Sequence, residues 1–103
     1  MFGDVMFLHL GNNEVVSLKE IVAIMDLEKT TTTNTAREFL KYCADKNMVK
    51  TIGSDMPRSF IVTVKDGKQT VYLSPISTST LTKRISKRVQ KAGGRITDVL
   101  KEL

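Results

Sequence analysis

Apolar positions along the chain follow two rhythms, and glycine, asparagine and proline mark where one gives way to the other. Residues 6–10 are a short apolar run that stops at Gly11-Asn12-Asn13, the pattern of a strand entering a turn. Residues 14–26 are ambiguous. Val15-Val16 and Ile21-Val22-Ala23-Ile24 carry β-branched side chains, which favour strands. Ser17 and Glu20 have capping-box spacing, which would start a helix at Leu18. Such a helix would be apolar nearly all round after Glu20. The pattern therefore favours two strands joined by a tight turn over 18–20.

Residues 29–46 carry the clearest helical rhythm. Ala36, Phe39, Leu40, Cys43 and Ala44 recur at i, i+3, i+4, i+7 and i+8, and Arg37, Glu38, Lys41 and Asp45 occupy the other face. Thr and Asn in the 30–34 stretch can cap its start, and Asn47 can take the left-handed turn at its end. Residues 48–52 read as a strand closed by Gly53, and 54–57 as a polar loop. In 60–64, Phe60, Val62 and Val64 alternate with Ile61 and Thr63. In 70–73, Val71 and Leu73 alternate with Thr70 and Tyr72. Asp66-Gly67 between them is a strong hairpin signal.

Ser74-Pro75 ends the sheet, and residues 77–80 offer caps for a helix running to about residue 91. Its apolar line is Leu81, Ile85 and Val89, with Ala92 beyond. Lys83, Arg84, Lys87, Arg88 and Lys91 cover most of the remaining circumference. Gly93-Gly94 stops the helix. Ile96, Val99, Leu100 and Leu103 then give 95–103 the spacing of a short amphipathic turn. The expected class is α+β: a small antiparallel sheet with one central helix and a C-terminal basic helix. The expected organisation is a single domain over 1–92 with a short helical extension over 93–103.

Composition narrows the function more than the fold. A chain of 103 residues supports one core and not two. With six aromatics and no Trp, that core is aliphatic. No run of about 18 apolar residues is present, so no membrane-spanning segment is expected. Residues 1–11 lack the basic start and the cleavage site of a signal peptide, and the expected location is the cytoplasm. Cys43 stands alone and reads as a small core residue. His9 stands alone in a strand.

Catalytic and metal chemistry find no support. Gly53 and Gly67 are lone turn glycines, and Gly93-Gly94 lacks the spacing of a phosphate loop. No His or Cys pair has metal-ligand spacing. One strand histidine does not suggest a hydrolytic triad, and the carboxylates are scattered. No catalytic residue, metal or cofactor is expected, and binding is the better class.

The charge distribution narrows the class of partner. Residues 1–80 hold nine basic and nine acidic side chains, and residues 81–103 hold seven basic and two acidic ones. The whole net charge of +5 therefore lies in the last 23 residues. Six basic residues and no acid fall between 81 and 95. Nucleic acid, an anionic membrane surface and an acidic protein all fit that asymmetry, as does a solvated helix face that keeps the protein soluble. The membrane reading is the weakest, because Leu81, Ile85 and Val89 make a narrow apolar face without an aromatic.

Two stretches carry a family likeness. One is Phe7-Leu8-His9-Leu10-Gly11 with Val15-Val16-Ser17 and Ile21-Val22-Ala23-Ile24. The other is Phe60-Ile61-Val62-Thr63, Val71-Tyr72-Leu73-Ser74-Pro75-Ile76-Ser77, and Thr80-Leu81 with Lys83-Arg84. Over about residues 6–85 the chain resembles the RemA/RemB extracellular matrix regulators of Gram-positive bacteria, closest to the RemB (YaaB-like) branch. The resemblance implies a DNA-binding transcription regulator of biofilm matrix genes, a LytTR-like fold and homo-oligomers, with a ring as one expected form. It also supports strands over the capping-box helix in 14–26. In the RemA branch, arginines associated with DNA stand where this chain has Glu20, Ser54 and Asp55. Contact with double-stranded DNA would therefore fall to Arg58, Lys83, Arg84, Lys87, Arg88, Lys91 and Arg95.

Overall fold

The computed structural model describes residues 6–30 and 33–91. The expected helical extension over 93–103 lies outside the described residues, as do Gly93-Gly94 and Arg95. In chain order the elements are strand β1 (Phe7–Gly11), strand β2 (Glu14–Ser17), a single 3-10 turn (Leu18–Glu20), strand β3 (Ile21–Asp26), helix α1 (Leu27–Thr30), helix α2 (Asn34–Asp45), strands β4 (Val49–Thr51), β5 (Ser59–Lys65) and β6 (Lys68–Ser74), and helix α3 (Thr78–Lys91).

The α+β class holds, with corrections. The strands form two sheets: a β1–β2 hairpin and a four-stranded sheet in the order β3-β5-β6-β4. The larger sheet is not wholly antiparallel, because β4 runs parallel to β6. After β4, the chain passes through 52–58 and reverses into the central strand β5, which leaves β4 to pair at the far edge of β6. Nor is there one central helix over 29–46. Asp26 accepts a hydrogen bond from the Lys29 amide at 3.0 Å and starts α1. Thr33 is extended (φ −102, ψ 145), and its hydroxyl accepts from the Ala36 amide at 3.2 Å to start α2. A residue with β-region dihedrals cannot sit inside a helix, so the periodicity belongs to α2 alone. Ala44 also leaves the expected stripe and is exposed.

The turns follow their residues. Asn12 (φ 49) and Asn13 (φ 65) form the left-handed corner of the first hairpin, and Asp66 (φ 52) and Gly67 (φ 79) that of the β5–β6 hairpin. Asn47 (φ 58) ends α2 as its position predicts. The ambiguous 14–26 stretch resolves into two strands, and the Ser17 signal yields only the 3-10 turn, with Ser17 Oγ accepting from the Lys19 amide at 3.3 Å.

The single core expected from chain length is instead divided by the larger sheet, each face of which carries its own cluster. Cys43, Phe60, Val62 and Val71 pack with Phe39 and Leu40 of α2 on one side. On the other, Ile21, Ile61 and Ile52 pack with Leu8, Leu10 and Val16 of the hairpin, Leu18, and Leu81 and Ile85 of α3. Residues 59–63 of β5 are accordingly buried without a break. A bulge at Val22 lets two residues of β3 oppose one of β5, so that Ile21 and Ile24 both face the hairpin.

Candidate nucleic-acid interface

Helix α3 is built to lie flat on the hairpin. Ser77 caps it, accepting from the Thr80 amide at 3.3 Å, and Leu81 and Ile85 are buried at 0% and 3% exposure. Its first turn holds no acidic residue. The basic residues of the helix follow that turn.

The two serines of the β5–β6 register pair Ser59–Ser74 fix the entry to α3. Both are fully buried. Ser59 donates to the Ile76 carbonyl at 2.7 Å, and Ser74 donates to the Leu10 carbonyl at 2.6 Å. Gly11 (φ 110) passes beneath this segment, with Ile76 and Pro75 side-chain atoms at 3.5 and 3.6 Å from where its Cβ would stand.

This frame sorts the predicted cations. Lys83 and Lys87 are exposed, one helical turn apart, on the side of α3 away from the buried line. Arg84 is half-buried, and its guanidinium donates to the His9 carbonyl at 3.0 Å. Arg88 and Lys91 lie in the last described turns of α3. Arg58 is placed apart from them. Its amide donates to the Ser74 carbonyl at 2.8 Å and its carbonyl accepts from Leu27 at 3.1 Å. Its exposed side chain borders a groove of about 560 Å³ with Asp26, Glu28, Met56, Pro57 and Ser77. From Ser77, Lys83 and Lys87 stand about 9 and 15 Å along the helix axis. An anion at Arg58 therefore meets two carboxylates, whereas one on the outer face of α3 meets none from that helix.

Charges elsewhere are partly paired. Lys50 bonds Glu14 at 2.7 Å, which ties β4 to the first hairpin and holds the lysine's pKa above its usual value. Lys65 stands 3.9 Å from Glu20. Burial raises the Cys43 thiol, which accepts from Gln69 at 3.5 Å, a bond that acts in the opposite direction. Among the described residues, no group of three or more His, Cys, Asp or Glu gathers as metal ligands, and no helix is long and apolar enough to cross a membrane.

A single apolar line along α3 does not reveal the Arg84 contact. Arg84 precedes Ile85 and lies three residues after Leu81, so it borders the buried stripe rather than the outer face.

Comparison with known proteins identifies relatives of the chain. Over 79 residues, covering 77% of this chain and 89% of the relative, the sequence is 42% identical to "Extracellular matrix regulatory protein B" of Bacillus subtilis (strain 168). Residues 7–85 match the RemA-like family, described as extracellular matrix regulatory protein A-like. That span opens with the strand that α3 covers and closes at the helix residue Ile85 that packs over it. The chain belongs to the RemA-like family of extracellular matrix regulatory proteins.

Proposed function

We propose that this protein is a non-enzymatic, DNA-binding transcription regulator of extracellular matrix (biofilm) genes. In this reading α3 lies along the phosphate backbone of double-stranded DNA, and the fold works as a LytTR-like DNA-binding domain. The observation that carries it is the outward pair Lys83 and Lys87 on a helix whose opposite side is pinned to the core. Arg84, Arg88, Lys91 and Arg95 extend the same basic stretch, and Arg58 is a separate contact. Such contacts fix position and carry little sequence information. Specificity then comes from several subunits acting together in a homo-oligomer.

The test is fluorescence anisotropy of labelled duplex DNA across a salt series. With about five phosphates neutralised, log K against log[salt] slopes at roughly −4 to −5. Changing Lys83 and Lys87 together to Glu weakens binding and flattens the slope while the fold, followed by circular dichroism, persists. No binding by the parent protein at low salt, or a slope near zero, overturns the reading.

One observation favours a second reading, an oligomeric protein-interaction module without DNA binding. Strand β3 is a sheet edge, and Val22 and Met25 on it are 49% and 41% exposed beside an apolar groove of about 490 Å³. Unpaired apolar edges are templates for another chain. A stable oligomer in light scattering that dissociates on Val22→Lys and has no duplex affinity selects this reading.

A further inference from the structure

The β1 strand carries a bulge between His9 and Gly11, where its register against β2 shifts by one residue. A bulge interrupts the ladder and can leave backbone groups without a strand partner. Here two successive carbonyls at the bulge are met by side chains from far along the chain. The Leu10 carbonyl accepts from Ser74 and the His9 carbonyl accepts from Arg84. The Arg84 bond spans 75 residues and is a polar link between α3 and β1. Around the helix, Arg84 lies about 60° from Leu81 and 100° from Ile85, while Lys83 lies about 160° from both. The carbonyl contact and the apolar pair therefore grip one side of α3, and the two lysines face the other way.

We propose that Arg84 is a positioning residue: its guanidinium, held on the His9 carbonyl at the β1 bulge, sets the rotation of α3 that presents Lys83 and Lys87 to phosphate. The proposal rests on the reading of α3 as the DNA-contacting helix. It removes one cation from that helix's phosphate contacts and gives it to the helix's own attachment. Leu81 and Ile85 alone leave rotation loosely specified, because two apolar side chains one turn apart tolerate rolling. A directional bond beside them does not.

The experiment uses the full chain with Arg84→Met, which keeps an apolar stem against β1 and removes the donor and the charge, beside Lys83→Met as the matched change on the outer face. Two quantities are measured: hydrogen-exchange protection of the amides of residues 81–87 without DNA, and the salt slope of duplex binding. Arg84→Met is expected to lower protection across α3 several-fold and to weaken binding while leaving the slope unchanged. Lys83→Met is expected to leave protection unchanged and reduce the slope by about 0.9. Arg84→Lys, which keeps the charge and loses the planar guanidinium, is expected to show the same lowered protection with the slope intact, and it serves where Arg84→Met does not fold. A slope reduced by about 0.9 with normal protection in Arg84→Met overturns the proposal and makes Arg84 a phosphate contact. Normal protection with normal binding overturns it as well. If the parent binds no duplex, the DNA reading fails by itself, and the exchange measurement still decides whether Arg84 holds the helix.

Discussion

Ser74 and Leu10, 64 residues apart, are joined by a buried hydrogen bond of 2.6 Å from the serine hydroxyl to the leucine carbonyl. The Ser74 hydroxyl oxygen also accepts from the Ile76 amide at 3.0 Å, so one small side chain serves the first hairpin and the turn into α3 together. Ser74→Ala removes both bonds inside a site with no exposed surface. A loss of about 1–3 kcal/mol is expected in urea unfolding, because a buried group stripped of its partner bears its full desolvation cost. A loss within 0.5 kcal/mol, the range of ordinary surface changes, would show that the segment rearranges around the missing hydroxyl.

Leu81→Ala tests the apolar half of the same attachment. Leu81 is fully buried between α3 and the hairpin, and its truncation is expected to cost about 2–5 kcal/mol. Lys87→Ala, on the exposed side of the helix, should change stability by less than about 0.5 kcal/mol. Comparable losses in both variants would mean that α3 does not rest on the hairpin through the face described.

The first hairpin turns on two non-glycine residues with positive φ. Asn13→Gly relieves that conformation and is expected to be neutral or slightly stabilising, whereas Asn13→Val should cost about 1–2 kcal/mol. Thermal unfolding of the pair reads the difference directly, and equal melting temperatures would contradict a left-handed Asn13.

Alkaline pH should weaken the fold through Cys43. Burial raises its thiol above the usual 9.0 in the folded chain, so the folded state keeps a proton that the unfolded state gives up. That contribution is complete below the unfolded value and is lost as pH rises from there through the folded one. Lys50, raised by its bond to Glu14, acts in the same direction above 10.5. Denaturation midpoints from pH 7 to 10.5 should fall less steeply in Cys43→Ala, although that variant starts from lower stability. Identical slopes would remove the thiol as the cause.

Local chemistry made much of this fold legible. Asn12-Asn13, Asp66-Gly67 and Asn47 announce their turns because few other residues accept a positive φ, and the alternation through 60–64 and 70–73 gives the central hairpin its two faces. The parallel pairing of β4 was not legible. A three-residue strand has the same alternation in either direction, and only its tertiary neighbour β6 decides which it takes. The split of 29–46 was obscured because each Thr in that stretch suits a cap as well as a helix interior, and the dihedrals of Thr33 settle the matter. For the candidate interface, the cations themselves were plain from charge. The assignment of Arg84 to a backbone carbonyl was not, because it depends on a bulge in a strand 75 residues earlier.

That distance also sets an order of events in synthesis. The first hairpin is local in sequence and can close as soon as it leaves the ribosome, but its inner residues Leu8, Leu10 and Val16 have no helix to meet until α3 follows. A nascent chain halted before α3 has the sheet residues Ile21, Ile52 and Ile61 to meet the hairpin but lacks Leu81 and Ile85, and its bulge carbonyl awaits its donor. The first turns of a basic helix therefore decide how far the first strand to be made is sheltered from proteases and from other chains.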